Sequence, residues 1–123
     1  MQIDFQNPSL NFKQIKLSED ISLETVYRPG EPLQIEKIGN QSTIFYGRRV
    51  ELFRGLGLLA EHQANLEYHT VQPARYKMDG VMIDCSHNGV MKPEVVKTYL
   101  RYMALMGLDT VMLYTRDTYE VQL

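Results

Sequence analysis

The chain has 123 residues, a formal net charge of −2 and the balance of apolar and charged residues that is usual for a globular protein. This length suits one compact domain and excludes a large multi-layer enzyme. The charge gives no reason to expect a nucleic acid or an anionic membrane as a partner, and the densest basic patch, at Arg48 and Arg49, is explained by a solvated helix start.

The N-terminus and the cysteine content indicate the compartment. The first ten residues include Asp4 and have no unbroken apolar region of signal-peptide length, and no later segment is long enough to span a bilayer. The one cysteine, Cys85, allows no internal disulfide, which agrees with a reducing compartment. We therefore expect a cytoplasmic protein.

The first part of the chain predicts a strand meander that forms an antiparallel sheet. Apolar alternation and turn residues mark strands at 11–17, 21–27, 33–38 and 42–46. Pro29-Gly30 presets the turn between the second and third of these. Residues 68–78 form an edge strand or a crossing segment, because Pro73 has no N–H to donate to a neighbouring strand.

A long helix, from Arg48 to about Ala64, is predicted to cover this sheet. Apolar or small residues recur there at helical spacing and form one face of the helix: Val50, Phe53, Gly57, Ala60 and Ala64. Three leucines widen this face: Leu52, Leu56 and Leu59. Gly55 and Gly57 each cost about 1 kcal/mol relative to alanine inside a helix, which indicates close packing of the helix backbone against the sheet. Residues 1–78 are thus predicted to form an α+β domain.

The remaining residues, 79–123, predict one strand–helix–strand unit. Residues 81–85 form a short apolar run that is typical of a strand buried on both faces, as in parallel sheets. Pro93 suits the first position of a helix, Gly107 suits its end, and the buried stripe is Val96, Tyr99, Leu100 and Met103. Residues 108–115 form a second apolar strand, which should run parallel to the first after a right-handed crossover.

Polar residues follow both of these strands, where ligands collect in parallel strand–helix folds. They are Asp84, Cys85, Ser86 and His87 after the first strand, and Thr115, Arg116 and Asp117 after the second. Structural roles compete with a ligand role: Asp84 would pair with Arg116 or cap a loop, and His87 would be an exposed loop residue. His62 and His69, near the end of the long helix, are expected to face solvent.

Two kinds of chemistry at these strand ends find little support. A nucleophile–base pair of Cys85 and His87 is disfavoured because neighbouring strand-end residues seldom reach one another. A metal site from Asp84, His87 and Asp117 lacks a recognised ligand spacing. We expect neither a metal ion nor a cofactor.

Residues 79–121, "DGVMIDCSHNGVMKPEVVKTYLRYMALMGLDTVMLYTRDTYEV", resemble the opening of the catalytic barrel of glycoside hydrolase family 20, the β-N-acetylhexosaminidases. In that family the first barrel strand reads glycine, apolar residues, Asp, two small residues and then Arg. The preceding segment, with "YGRRVELFRGLGLLAEH" after the strands, is similar to the non-catalytic α+β domain that precedes the family's barrel.

The resemblance assigns substrate-binding roles to Asp84, His87 and Asp117. Gly80 matches the family glycine, Asp84 matches the strand-end Asp, and Asp117 matches the acidic segment after the second strand. His87 stands where the family usually has an Arg that contacts sugar hydroxyls. Because an imidazole lacks the bidentate fork of a guanidinium, sugar binding there is expected to be weaker or altered.

The resemblance also implies a glycosidase activity for the family, and it implies that this chain lacks the residues for that activity. Family members cleave terminal N-acetyl-β-D-hexosaminides with retention, and the substrate's own acetamido group acts as the nucleophile. The family's catalytic Asp-Glu pair follows the fourth barrel strand, whereas residues 1–123 include only two barrel strands. We therefore expect an N-terminal fragment that is inactive alone.

An incomplete barrel needs cover from elsewhere, since a full one takes about 250 residues. Val81, Ile83, Val111 and Leu113 must be covered, either by the N-terminal sheet or by a second chain that pairs along the strands. This predicts a homo-oligomer. The alternative to an enzyme fragment is a stand-alone sugar-binding or protein-interaction module derived from the same fold.

Overall fold

The computed structural model describes residues 17–86 and 89–116. Two helices and six strands lie in this part of the chain: β1 (Ser22–Tyr27), β2 (Leu33–Ile38), β3 (Gln41–Tyr46), α1 (Arg49–Glu61), β4 (Glu67–Gln72), β5 (Gly80–Asp84), α2 (Pro93–Met106) and β6 (Thr110–Tyr114). The strands form one four-stranded and one two-stranded sheet, so the α+β class is confirmed. The strand predicted at 11–17 falls, except for Leu17, outside the described residues.

The four-stranded sheet has the order β1-β3-β2-β4 and is mixed, so the predicted antiparallel meander is wrong. β2 pairs antiparallel with both β3 and β4, whereas β1 runs parallel to β3. The two-residue turn at Gly39, whose φ is 57°, folds β3 directly onto one edge of β2. β4 pairs with the other edge of β2, which β1 would have taken in a meander, and β1 lies beyond β3 instead. Residue alternation indicates which face of a strand is buried but not which strand lies beside it, and this explains the error.

The core lies between this sheet and α1. Its most completely buried side chains are Leu33 and Ile35 of β2, Ile44 of β3 and Leu59 of α1. Each such aliphatic side chain contributes about 1.5 to 3 kcal/mol by leaving water. The face of α1 that is buried is the leucine face, with Leu52 and Leu56 beside Leu59, while the predicted centre of the stripe at Val50 and Phe53 is only partly buried.

Lys37 is the charged residue on the inner face of β2, and it is only 4% exposed. Its ammonium group donates hydrogen bonds to the backbone oxygen of Gly39, at 2.7 Å, and to that of Asn65. A buried charge is tolerated only where such partners replace water. Lys37 thereby ties the loop after α1 to the β2–β3 turn, and the predicted alternation of Leu33, Ile35 and Lys37 is confirmed.

The two glycines inside α1 both lie at close contacts. A Cβ atom added at Gly55 would be 2.8 Å from Cγ2 of Ile44, which confirms the close approach of the helix to the sheet. A Cβ at Gly57 would be 2.6 Å from the backbone oxygen of Leu105, in the last turns of α2. Gly57 therefore faces the second helix rather than the sheet.

The predicted strand–helix–strand unit is present, and its two strands are parallel. β5 and β6 pair from Gly80 opposite Thr110 to Asp84 opposite Tyr114. Pro93 is the first residue of α2, and Gly107 ends it with a φ of 86°. The amide of Gly107 donates to Ala104 O and that of Leu108 to Met103 O, so two of the last carbonyl groups of the helix have partners.

The prediction that β5 and β6 are buried on both faces is wrong for the described chain. Ile83 is 7% exposed, but Met82 and its partner Met112, on the other face of the pair, are 63% and 54% exposed. The unit does not fold over the four-stranded sheet, because its main contact with the first half of the chain is α2 against α1. One face of the two-stranded sheet consequently has no covering layer in the described residues.

We expect Gly57→Ala to lower the free energy of unfolding by about 1 to 2 kcal/mol, because the new methyl group would force α1 and α2 apart. An uncrowded glycine in a helix would instead gain about 1 kcal/mol from the same change. Urea unfolding measures the difference. The control is Arg49→Ala, at the exposed start of the same helix, which should change stability by no more than about 0.5 kcal/mol. A more stable Gly57→Ala chain would show that the helices are not in close contact there.

Candidate functional site

The carboxyl ends of β5 and β6 lie side by side, as the sequence predicted. Asp84 is opposite Tyr114, and the amide of Cys85 donates a 2.8 Å hydrogen bond to the backbone oxygen of Tyr114. The residues that follow each strand, 85–86 and 115–116, therefore share one edge of the sheet. Two of the three predicted substrate-binding residues, His87 and Asp117, lie outside the described residues.

Asp84 is exposed at this edge and organises the turn that follows β5. Its Oδ1 atom accepts a 2.8 Å hydrogen bond from the amide of Ser86 and another from the Ser86 hydroxyl. This is an Asx turn, in which a carboxylate replaces a backbone acceptor. The loop-capping role weighed for Asp84 is thus present, and it fixes the direction in which the carboxylate points.

Cys85 is partly buried beside Asp84. Its thiol contacts the backbone oxygen of Ile83, with the sulfur 3.9 Å from that oxygen. A nucleophilic cysteine needs a neighbouring base to form the thiolate, and the contact seen here is with a carbonyl group of its own strand. The sulfur therefore has a structural contact in the described residues.

The two histidines near the end of α1 differ in their surroundings. His62 is partly buried and stacks on Tyr68 of β4, with ring centroids 4.1 Å apart. His69 is exposed, as predicted. The expectation that both face solvent therefore holds fully only for His69, because the ring of Tyr68 covers one side of His62.

A cleft of about 490 Å³ opens at the other ends of β5 and β6, away from Asp84. Its walls come from β2, the first turns of α1, the end of β4 with the segment that follows it, and the end of α2. The lining residues are Leu33, Arg48, Val50, Glu51, Arg54, Val71, Gln72, Pro73, Ala74, Arg75, Tyr76, Asp79, Met106, Gly107 and Asp109. Sequence reasoning missed this cleft because its walls are far apart along the chain.

An ion pair between Arg48 and Asp109 joins the start of α1 to the start of β6 in this cleft. Asp109 Oδ1 also accepts 2.9 Å hydrogen bonds from the amide of Asp79 and from the hydroxyl of Thr110. These two bonds, from Asp79 and then Thr110, together with Arg48, lower the pKa of Asp109 below its usual value. Arg48, interpreted above only as part of a solvated helix start, thus connects the two halves of the chain.

Glu51 completes the start of α1 at the same place. Its Oε2 atom accepts hydrogen bonds from the amides of Gly47, at 2.8 Å, and Arg48, at 2.9 Å. A carboxylate in the first turn satisfies amides that have no partner within the helix and interacts favourably with the helix dipole. The acidic groups of Glu51 and Asp109 are therefore both engaged by groups of this chain.

Comparison with protein-family models matched none of them, and comparison with curated proteins gave no match. The resemblance to glycoside hydrolase family 20 rests on the residues quoted above and stays a prediction. Neither α1 nor α2, the helices of the described residues, has the length and apolar character needed to cross a membrane.

We expect acid to weaken the Asp109 connection. Because the pKa of Asp109 is lowered in the folded chain, its stabilising contribution is complete above the unfolded pKa, near 3.8, and is lost as pH falls through the lower folded value. Asp109→Asn should lower the free energy of unfolding by about 1 kcal/mol at neutral pH. The variant should then lose less stability than the original chain as the pH falls. Urea unfolding between pH 7 and pH 2 measures both effects.

The matched control is Glu94→Gln, because the pKa of Glu94 is also lowered, first by its hydrogen bond with Lys97. That pair is exposed and lies on one helix, so its removal should change stability little. Identical acid profiles for the original chain and Asp109→Asn would show that Asp109 does not stabilise the fold.

Proposed function

We propose that this chain is the front part of a cytoplasmic β-N-acetylhexosaminidase of glycoside hydrolase family 20. It combines the non-catalytic α+β domain, residues 1–78, with the first strand–helix–strand of the catalytic barrel, residues 79–123. By itself it has no turnover. The observation that carries the proposal is the parallel β5–α2–β6 unit with Asp84 at the carboxyl edge of its first strand.

Parallel pairing supports a barrel start because parallel strands joined by a helix are the repeating unit of such barrels. Gly80 lies where a Cβ atom would overlap the backbone oxygen of Thr110, which accounts for a glycine at the start of β5. Asp84 follows four residues later at the end where barrel enzymes bind substrate. These are the positions at which the resemblance places the family's glycine and strand-end Asp.

The uncovered strands also support a place in a larger sheet. β5 and β6 pair only with each other in the described residues, so each has an edge without a strand beside it. Met82, Met112 and Leu113 are exposed on this pair. Parallel sheets in α/β proteins are covered on both faces, and further barrel strands and helices would supply that cover.

The proposed ligand is a glycan that ends in an N-acetylhexosamine, bound at the edge that carries Asp84. A carboxylate accepts hydrogen bonds from sugar hydroxyls, and the contact of Asp84 with Ser86 holds this carboxylate in one orientation. His87 and Asp117 complete the rim in the proposal. His87 would offer one ring nitrogen where a guanidinium offers two parallel donors, so its contribution to affinity is smaller.

We expect no turnover of an aryl N-acetyl-β-D-glucosaminide by the 123-residue chain, because no catalytic Asp-Glu pair follows a fourth barrel strand. A longer product of the same gene that includes such a pair should turn over. In that product Asp84→Ala should reduce kcat/KM about tenfold or more through the lost hydrogen bonds, whereas Asp20→Ala, an exposed carboxylate of the first half, should not. Measurable turnover by the short chain would contradict the proposal.

A second candidate is a stand-alone sugar-binding or protein-interaction module. It is favoured by the first half of the chain, whose sheet and α1 supply every buried member of the main core cluster except Leu105. Titration of the 123-residue chain with N-acetylglucosamine separates the two. Saturable binding without turnover, together with a stop codon directly after Leu123, would support the module and oppose the enzyme fragment.

We further propose that the chain alone forms a homo-oligomer through its uncovered strands, with no nucleic acid or membrane partner. Met112→Lys on β6, at the position paired with the exposed Met82, should dissociate it, because a charge on the contact face would be buried at high cost. Ile38→Lys, at an exposed site on β2, is the control and should leave the assembly unchanged. Sedimentation velocity makes the measurement. A monomer at high concentration that also binds no hydrophobic dye would contradict this proposal.

A further inference from the structure

The cleft between the two halves of the chain is separate from the proposed sugar rim. It lies beside Asp79 and Asp109, which precede β5 and β6, whereas Asp84 ends β5 at the opposite side of the sheet. Its volume of about 490 Å³ falls within the range of small-molecule sites, roughly 300 to 1,000 Å³. An inference about this cleft does not depend on the proposed function.

Three arginines line the cleft, and they differ in their partners. Arg48 is paired with Asp109, and it also donates to the backbone oxygen of Lys77 at 3.5 Å. No ion pair joins Arg54 or Arg75 to a carboxylate within residues 17–86 and 89–116. These two guanidinium groups therefore have donors to offer to a ligand.

Arg54 is held in place by the end of α2. The Cγ and Cδ atoms of its stem would lie 3.3 and 3.4 Å from a Cβ at Gly107, so the stem packs against the residue that ends the helix. α2 has no basic residue in its own last turn. Its negative dipole end therefore favours the nearby Arg54 cation, and the packed stem restricts the positions that the guanidinium can take.

The acidic side chains of the lining set a limit on the ligand. Glu51 and Asp109 are engaged with backbone amides and Arg48, as described above. Asp79 also lines the cleft, and its backbone N–H and C=O groups bond to Asp109 and Thr110. Its negatively charged carboxylate would repel an anionic ligand. The effect of removing this charge therefore reports the sign of the ligand's charge.

Apart from Gln72, the rest of the lining carries no polar side chain except the Tyr76 hydroxyl, and part of it is open to solvent. Tyr76 and Met106 are 68% and 63% exposed, and Val71 and Pro73 lie beside them. Pockets that combine such walls with a few directed polar groups bind ring-bearing small molecules, whose orientation the polar groups fix. Guanidinium groups match the paired oxygens of carboxylates and phosphates.

We propose that this cleft binds a small ring-bearing oxyanion, a carboxylate or a phosphate, between the guanidinium groups of Arg54 and Arg75 and the apolar wall at Tyr76 and Met106. The anionic group lies against the two arginines, and the ring lies on the wall. Carboxylate and phosphate share this chemistry, and the two are distinguished by the choice of probe.

The test is to titrate the full chain separately with phenyl phosphate, benzoate and inorganic phosphate. NMR chemical shifts of the backbone amides report binding. We expect saturable shifts confined to the residues of the cleft, and tighter binding for whichever ring-bearing anion fits than for inorganic phosphate. Arg54→Gln and Arg75→Gln should each weaken binding about tenfold, the loss of one charge-assisted hydrogen bond. Arg75 lies on the exposed segment after β4, so its variant keeps the test valid if Arg54→Gln fails to fold.

Two further variants complete the test. Asp79→Asn should tighten binding, because it removes the opposing carboxylate. Arg101→Gln, on the exposed side of α2 and outside the cleft, should leave affinity unchanged. Absence of saturable shifts, equal weakening by Arg101→Gln, weaker binding by Asp79→Asn, or inorganic phosphate binding as tightly as both ring-bearing probes would each overturn the proposal.

Discussion

Two helices approach at the backbone where Gly57 of α1 faces the carbonyl of Leu105 in α2, and the relation of the two halves of the chain depends on this contact. A side chain at position 57 would occupy the space of the Leu105 oxygen. With glycine there, α1 can place its leucine face on the four-stranded sheet and another side on α2. Leu105 then joins the same buried cluster as Leu56 and Leu59, so the second half is anchored to the core of the first.

The consequence is an uneven distribution of stability. The first half has a sheet covered by a helix and a buried lysine that holds its loops together. In the described second half the buried apolar side chains are Ile83, Met103 and Leu105, and of these Leu105 belongs to the core cluster. The two-stranded sheet of this half is attached through α2 and through the ion pair of Arg48 with Asp109. Elements with few buried contacts open at low free energy, so β5 and β6 depend on whatever covers them.

Local sequence patterns predicted the positions of the helices and strands well, but they predicted less well which elements lie side by side. Pro93 and Gly107 marked the ends of α2, and the apolar runs marked β5 and β6, because these signals act within a few residues. The position of β1 beside β3 and the role of Gly57 involve partners that are distant along the chain. Periodicity contains no information on such partners, which is why the sheet order and the second contact of α1 were not predicted.

The same distinction applies to the candidate sites. The strand-end position of Asp84 followed from the apolar run before it, and its turn with Ser86 is a local feature. The cleft lined by Arg48, Arg54 and Arg75 exists only after four separate segments meet. Roles for His87 and Asp117 come from the resemblance and stay predictions, since neither residue is among those that the structure describes.

β5, α2 and β6 form a parallel unit whose strands pair only with each other in the described residues, and we propose that this unit gains cover from another chain. Hydrogen–deuterium exchange followed by mass spectrometry, at several protein concentrations, tests it most directly. We expect the amides of β5 and β6 to exchange quickly in dilute solution and to become protected as concentration rises, while those of β2 and β3 stay protected throughout. Equal and concentration-independent protection in all four strands would contradict the claim, because it would show that the unit is complete within one chain.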